Sequence, residues 1–326
     1  MHRLQFLSVA VLFMISLMSA PATAQEAYPS RPITLIVPFG AGGALDLLAR
    51  ILADGLRNEL GQPVIVDDKP GANGLLGMRL AAAAAPDGYT LILSSESNHI
   101  ILPLVAPRFP LDVFKDFVPI SQSGQFQHTL IVKSEMPVKS VDELFAYLRA
   151  NPGKLSFGSS GAGTAAHIVG EYLSNETQSH MVHVPYRSSP AALNDLLAGN
   201  LDLNIQSMPA IRSYLDNPRL RILAVLSAAR LKELPEVPTL AESGFADFVY
   251  SSWMGVFAPA ALPAAIRDRL GAALVKIGKD PAIQARIRNV GTEPVGSDAA
   301  TFAAFVDAEA AKWKAFVART GVRLNE

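Results

Sequence analysis

Residues 32–56 read PITLIVPFGAGGALDLLARILADGL, and this stretch combines the three parts of one structural unit. Its apolar, partly β-branched beginning at residues 32–37 predicts a buried strand, and the glycines of residues 39–43 predict a tight turn. Apolar side chains then recur at helical intervals, which predicts an amphipathic helix. They are Leu45, Leu48, Ala49, Leu52 and Leu56. The order is therefore strand, glycine-rich loop and helix.

The same unit is repeated along the next part of the chain. Val64–Val66 predicts a second strand, an alanine-rich helix follows over about residues 75–85, and Tyr89–Leu93 predicts a third strand. Strands that recur every ~30 residues are typical of βαβ units, in which parallel strands are joined by right-handed helical crossovers. The loops at the carboxyl ends of such strands come together and bind ligands. Here they cover residues 39–46, 67–74 and 94–99.

A similar arrangement begins again in the second half of the chain. Leu130–Val132 predicts a strand, and the capping box of Ser140 and Glu143 predicts the start of a helix. Leu155–Gly158 predicts the next strand, followed by the small-residue loop Ser159–Thr164 and a helix from about Ala165. Further strands are predicted at residues 183–186, 201–205, 221–225 and 254–257, and further helices near 191–198, 263–278 and 299–318. We therefore expect an α/β protein with two domains, each a mostly parallel sheet flanked by helices.

The beginning of the chain predicts export. Met1-His2-Arg3 carries positive charge, residues 4–18 are apolar, and Ala22-Thr23-Ala24 matches the small-residue pattern that signal peptidase cleaves. We interpret residues 1–24 as a signal peptide and expect a periplasmic mature protein. No later stretch reaches the roughly 18 uninterrupted apolar residues of a membrane-spanning helix.

Composition restricts the class of partner. The 28 Lys and Arg residues are matched by 29 Asp and Glu residues, so the charge balance provides no basic field for nucleic acid. The chain has no cysteine, which excludes disulfides and thiolate metal sites. We predict neither a cofactor nor a metal site. A small-molecule ligand fits this composition best.

Two glycine-rich turns at matching positions predict an anion site. Residues 39–43 (FGAGG) and 159–164 (SSGAGT) each connect a strand to a helix. Glycines allow main-chain amides to approach a ligand closely, and a helix amino terminus adds free N–H groups and partial positive charge. Two such turns facing each other can hold a dicarboxylate. Asp46, at the start of the first helix, is suited to capping free amides.

Two enzymatic interpretations compete with binding. A dinucleotide fingerprint fails because Leu45 occupies the position of its third glycine. Residues 158–162 resemble a nucleophile elbow without its last glycine, so an exported serine hydrolase that uses Ser159 or Ser160, with His167 or His183 as base, is the alternative. His99 and His167 follow the expected ligand loops and are equally consistent with hydrogen bonding to a ligand and with structural roles.

Motifs spread over the chain resemble a known family. The opening residues 28–43, YPSRPITLIVPFGAGG, are similar to those of the substrate-binding receptors of tripartite tricarboxylate transporters, called Bug receptors. The other matching motifs are residues 69–72, 85–90, 163–167, 183–186, 195–199 and 234–239. The resemblance implies a type II-like periplasmic binding fold that closes on a carboxylate like a Venus flytrap. It also implies delivery to membrane subunits of a tripartite tricarboxylate transporter.

The resemblance also places the ligand. Its carboxylate loops map to residues 39–43 and 159–165, and Ser95 and Asn98 are expected to line the cleft. Gln206 stands where many relatives have an acidic residue, which disfavours ligands that carry an ammonium group. The candidate ligand-binding residues are Phe39, Gly40, Ala41, Gly42, Gly43, Asp46, Ser95, Asn98, Ser159, Gly163, Thr164, Ala165, His167 and Gln206.

The domains are expected to alternate along the chain. We assign residues 25–122 and 228–326 to domain I and residues 123–227 to domain II, with the ligand cleft between them. The expected protein is a monomeric, non-enzymatic receptor for a di- or tricarboxylate or a related organic acid.

Overall fold

The computed structural model describes residues 28–106, 108–245 and 249–321. Numbering the α-helices of eight or more residues gives α1 Ala44–Leu60, α2 Leu75–Ala82, α3 Val141–Ala150, α4 Ala165–Thr177, α5 Ser189–Leu197, α6 Ala264–Lys279, α7 Pro281–Asn289 and α8 Ala299–Thr320. The strands are β1 Ile33–Val37, β2 Val64–Asp68, β3 Thr90–Ser95, β4 Phe117–Lys133, β5 Ser156–Ser159, β6 Val182–Pro185, β7 Leu203–Ser207, β8 Leu220–Val225, β9 Ser251–Pro259 and β10 Glu293–Pro294.

One long strand connects two half-sheets. In the order β2-β1-β3-β9-β4-β7-β5-β6, strand β4 pairs with β9 through residues 117–127 and with β7 through residues 128–132. We call the strands on the β9 side the first half-sheet and those on the β7 side the second half-sheet. Strands β1, β2 and β3 are parallel, and so are β5, β6 and β7, as the repeated units predict. The predicted α/β class is confirmed.

The first helix shows how the local sequence produces packing. Gly43 precedes α1, and the helix buries the predicted apolar stripe, including Leu48 and Leu56 at 0% exposure. This stripe packs in one apolar cluster with strand residues such as Leu35 and Leu91. At ~25 cal/mol per Å² of apolar surface, burial of these side chains is the main term that holds α1 on the sheet.

The capping box of the second half forms as predicted. Ser140 Oγ accepts a hydrogen bond from the Glu143 amide at 3.2 Å, and Glu143 Oε2 accepts from the Lys139 amide at 2.6 Å. The first bond satisfies an amide of the first helical turn, which has no intrahelical partner, and the second ties the residue before the cap to the helix. They fix the start of α3.

The structure also contains elements that the sequence patterns did not predict. The pattern indicated a strand only at residues 130–132, whereas β4 begins at Phe117. A π-helix at Ser97–Ile101 and the helix α7 were also missed. None of the described helices has an apolar stretch of the length needed to cross a bilayer.

Candidate functional site

A small cavity of about 60 Å³ lies between the two half-sheets, and we call it the inner cavity. On the side of the first half-sheet, the lining includes the loop and helix residues Phe39, Gly40, Gly43 and Asp46 and the strand residue Ser95. On the side of the second half-sheet, the lining includes Ser160, Thr164, Ala165, Ser188 and Ser189, which lie in loops and at helix starts. The loops that the sequence assigned to carboxyl ends of parallel strands therefore meet across this space.

The first loop is held in shape by the helix that follows it. Gly42 has a φ of +77°, in the left-handed region that side chains other than glycine rarely adopt. Its amide donates to Asp46 Oδ2 at 2.8 Å, and Asp46 Oδ1 forms an ion pair with Arg50 Nε at 2.7 Å. Asp46 therefore accepts from an amide in front of α1 rather than capping the first amides of the helix as expected, and it fixes the turn before α1.

The second loop repeats this geometry with a different side chain. Gly163 has a φ of +79°, and its amide donates to His167 Nδ1 at 3.0 Å. As in the first loop, the acceptor lies four residues after the left-handed glycine, in the first turn of the helix. Thr164 caps α4 by accepting from the His167 amide. The two halves thus use the same turn with an aspartate in one and a histidine in the other.

Both helix starts lie at the cavity and have amides without acceptors. The amides of Ala44 and Leu45 donate to no acceptor among the described residues, and both residues line the inner cavity. Ala166, at the start of α4, also lines the inner cavity, and its amide donates to no acceptor among the described residues. The start of α5 adds Ser188 and Ser189 to the lining. Free amides and three helix dipoles that converge on one space favour an anion there.

Among the residues that the structure describes, no lysine or arginine lines the inner cavity, so positive potential there comes from the main chain. The ring of His128 lies in the lining, but complete burial lowers its pKa to about 3. It is therefore neutral at ordinary pH. Its Nε2 contacts Ser252 Oγ at 2.8 Å.

One hydrogen bond crosses the cavity. The amide of Ala165, at the start of α4, donates to Ser97 Oγ of the first half at 3.2 Å. Ser97 belongs to the π-helix after β3, whereas Ala165 follows the second glycine-rich loop. This bond joins the two halves directly at the cavity wall.

The carboxylate of Glu96 is buried beside the cavity with its oxygens already engaged. Oε1 accepts from the hydroxyls of Tyr250 at 2.5 Å and Ser252 at 2.6 Å, and Oε2 accepts from the Trp253 amide at 3.0 Å. Burial raises the pKa of Glu96 above its ordinary value, against these lowering hydrogen bonds. Because its acceptors are occupied, Glu96 organises the cavity floor rather than offering a free anion to a ligand cation.

The structure brings together about half of the predicted site residues. Those that line the inner cavity are Phe39, Gly40, Gly43, Asp46, Ser95, Thr164 and Ala165. Those outside its lining are Ala41, Gly42, Asn98, Ser159, Gly163, His167 and Gln206. Gly42, Gly163 and His167 shape the loops, as described above. A direct ligand contact by any of these residues stays a prediction.

Two of the side chains outside the lining make hydrogen bonds within the protein. Asn98 Nδ2 donates to the carbonyl of Asn73 at 3.0 Å. Gln206 Nε2 donates to the Ser189 carbonyl at 2.9 Å, and its Oε1 accepts from the Ser207 amide at 3.1 Å. Gln206 therefore steadies the start of α5.

Sequence reasoning missed several residues of the lining. The serines before Pro190 carried a usable signal, because serine followed by a proline in the first turn is typical of a helix start. Glu96 lies in the expected ligand loop of residues 94–99, but nothing in the sequence indicated its own role, and His128 and Ser252 carried no signal. They come from three separate strand regions, and only the folded sheet brings them together.

The hydrolase alternative has one geometric point in its favour. Ser159 Oγ lies 2.7 Å from His183 Nε2. However, Ser159 is 1% exposed and its Oγ also bonds both the amide and the carbonyl of Gly161. Among the described residues, no carboxylate pairs with His183, whose pKa burial lowers to about 3. The pair lacks the oriented base and the access of a catalytic triad.

The described residues contain no cluster of three or more histidine and acidic side chains suited to a metal ion. The histidines at 167 and 183 instead stack on each other, with ring centroids 3.9 Å apart. His167 Nδ1 and His183 Nε2 make the contacts to Gly163 and Ser159 already described.

Comparisons with known proteins agree with one another. A family model described as tripartite tricarboxylate transporter family receptor matches residues 48–322. Protein BugT of Bordetella pertussis is 34% identical over 326 residues, which covers 100% of both chains. The periplasmic binding protein BugD superposes with a TM-score of 0.86 at 31% identity, covering 91% of this chain and 99% of that one.

A further solved structure carries a ligand. Rpa4515 of R. palustris, solved with adipate, superposes with a TM-score of 0.86 at 32% identity and covers 91% of this chain and 99% of its own. The periplasmic binding fold expected from the sequence is confirmed by these superpositions. None of these proteins is described as a hydrolase, so the serine-hydrolase alternative is not supported.

Proposed function

This chain belongs to the tripartite tricarboxylate transporter family of receptors, and on that premise we propose that it binds a small carboxylate in the inner cavity. The ligand carboxylate accepts hydrogen bonds from main-chain amides at the starts of α1 and α4. The bound adipate of the relative from R. palustris supports a carboxylate ligand for this chain as well.

The observation that carries the proposal is the set of free amides at facing helix starts. Ala44 and Leu45 on one side, and Ala166 on the other, line a space in which no described basic side chain lies. Their N–H groups have no acceptor among the described residues. Such groups bind a carboxylate by charge-assisted hydrogen bonds, each worth about 1.5–3 kcal/mol. Each helix start holds its own amides in place before the ligand arrives, so the binding groups within each half need little local rearrangement.

The paired half-sheets support a receptor that closes around its ligand. We propose that domain I comprises residues 25–122 and 228–326 and that domain II comprises residues 123–227. The two domains close on the ligand where Ser97 and Ala165 are hydrogen-bonded. Small-angle scattering should then detect a smaller radius of gyration when the ligand is added. An unchanged radius would contradict closure.

The cellular setting is part of the same proposal. The chain is exported and cleaved after Ala24, which leaves a monomeric periplasmic protein. This protein delivers its ligand to membrane subunits of a tripartite tricarboxylate transporter and catalyses no reaction. Residues 1–27 lie outside the described residues. N-terminal sequencing of protein from the periplasm tests the cleavage site, and retention of Met1 would contradict it.

The ligand can be identified without prior assumptions. Purified protein is denatured, and the released small molecules are identified by mass spectrometry and then titrated into refolded protein by calorimetry. We expect an organic acid that binds with 1:1 stoichiometry and is recovered unchanged. Recovery of a hydrolysed product, or the absence of binding by any carboxylate, would overturn the proposal.

A further inference from the structure

A second, larger cavity adjoins the inner cavity, and we call it the outer cavity. Its volume is about 460 Å³, and Phe39 and Ser160 line both cavities. The outer cavity lies between the loop of residues 70–74 and the segment Tyr186–Arg187. It thus shares walls with the site of the proposed ligand and is lined from both halves of the molecule.

The outer cavity contains a cation without a compensating anion. Arg187 lines it and is exposed, and it has no ion-pair or hydrogen-bond partner among the described residues. None of the described residues that line this cavity is acidic. The nearby carboxylate of Asp195 is occupied by the hydroxyl of Tyr186 at 2.6 Å. The charge of Arg187 is therefore available to a ligand.

The wall opposite Arg187 is held in an unusual conformation. Gly71, Ala72, Asn73 and Gly74 all have positive φ angles, of 145°, 45°, 58° and 88°. Left-handed residues other than glycine cost about 1–3 kcal/mol each and are concentrated at functional sites. The carbonyl of Asn73 is held by Asn98, and this bond keeps the strained loop against the cavity.

The strained loop also touches the opposite half of the molecule. A Cβ placed on Gly161 would lie 2.7 Å from Asn73 Oδ1, and one placed on Gly40 would lie 3.3 Å from the Arg187 carbonyl. The first distance is too short for a Cβ, and the second is a tight contact. The Arg187 main chain therefore packs against the first glycine-rich loop, and Arg187 lines the outer cavity but not the inner one.

We propose that Arg187 binds a second anionic group of the ligand in the outer cavity, so that the receptor selects dicarboxylates over monocarboxylates. The first carboxylate lies at the free amides of the inner cavity, and the carbon chain passes Phe39 and Ser160. Guanidinium is well suited to this role because it binds carboxylates through two parallel hydrogen bonds. This inference rests on the proposed carboxylate function.

The test compares acids that differ only at the far end. Adipate and hexanoate, and likewise succinate and butyrate, are titrated by calorimetry into the wild type, Arg187→Gln and Arg187→Lys. We expect Arg187→Gln to weaken binding of one or both diacids by at least about tenfold, equivalent to about 1.4 kcal/mol. Monoacid affinity should stay within about twofold, and Arg187→Lys should retain part of the diacid preference.

Arg149→Gln is the matched control, because Arg149 is also an exposed arginine without a described partner, on α3 and outside both cavities. It changes net charge equally, so an equal loss of diacid affinity in this variant would assign the effect to long-range electrostatics and overturn the proposal. Arg187→Gln with wild-type diacid affinity would also overturn it. A wild type that binds neither mono- nor diacids would instead contradict the proposed function itself.

Discussion

Replacing Gly42 by valine tests whether the first loop determines ligand affinity. Gly42 has a φ of +77°, and a left-handed residue other than glycine costs about 1–2 kcal/mol. The chain can relieve this strain only by moving the Gly42 amide from Asp46 Oδ2, which loses a hydrogen bond to a carboxylate of about 1.5–3 kcal/mol. The two costs are similar, so the valine variant is expected to populate a distorted loop.

The expected loss of affinity follows from this balance. If restoring the native loop costs about 1–2 kcal/mol, the binding-competent fraction and the apparent affinity fall about 5- to 30-fold. Calorimetric titration with the carboxylate identified from the wild type measures this change. Circular dichroism establishes that the variant is folded. Gly163→Val should behave in the same way, because Gly163 has a φ of +79° and its amide is held by His167.

Gly61→Val provides the matched control. Gly61 ends α1 with a φ of +74°, and a Cβ there would meet no atom within 4 Å. This variant carries the same backbone strain at a position away from the cavity, so it should lose similar stability and keep its affinity within about twofold. Wild-type affinity in both Gly42→Val and Gly163→Val would refute the role of the two loops.

Three further predictions concern packing and pH. Gly170→Ala should destabilise the protein by about 1–3 kcal/mol in denaturant melts, because its Cβ would lie 2.1 Å from Phe157. Gly271→Ala should instead stabilise α6 by about 0.5–1 kcal/mol, because the nearest atom to its Cβ is 3.8 Å away. Equal effects of the two substitutions would contradict this prediction. Burial lowers the pKa of His99 from 6.5 to about 3, so the free energy of unfolding should fall as pH drops below 6.5. His99→Phe should flatten that slope by up to about 1.4 kcal/mol per pH unit. An unchanged slope would exclude His99 as a source of the pH dependence. Burial raises the pKa of Glu96 above 4.5, so its contribution to stability is present below pH 4.5 and is lost as pH rises through the raised pKa. Denaturant melts of Glu96→Gln from pH 4 to 8 should lack this decline. A profile identical to that of the wild type would count against Glu96 as its cause.

The sequence by itself determined the repeated strand–loop–helix units. Residues 33–60 form β1 and α1 as predicted, because apolar periodicity and a glycine turn act over short distances. The same local information placed the two glycine-rich loops at matching positions. Parallel pairing within each half-sheet places each loop at the carboxyl end of its own strands. The long strand β4, antiparallel to both β9 and β7, joins the two half-sheets so that both loops reach one cavity.

Other elements depend on partners far along the chain. Residues 121–127 read SQSGQFQ, which has little strand propensity, yet they form the middle of β4 because β9 pairs with them. Helix α7 had a local signal, since Asp280 caps it and Pro281 begins it. It was missed because only Ile283 and Ile287 are buried on its apolar side.

The chemistry of the cavity was decided by the tertiary structure. Ser252 lies 156 residues from Glu96, and no periodicity relates them, yet they form one hydrogen-bonded group at the cavity floor. The sequence identified the loops that approach an anion, because glycine and helix starts are local features. It left open which amides stay free and that Arg187 keeps an unpaired charge, because both depend on which acceptors the folded chain brings within hydrogen-bonding distance.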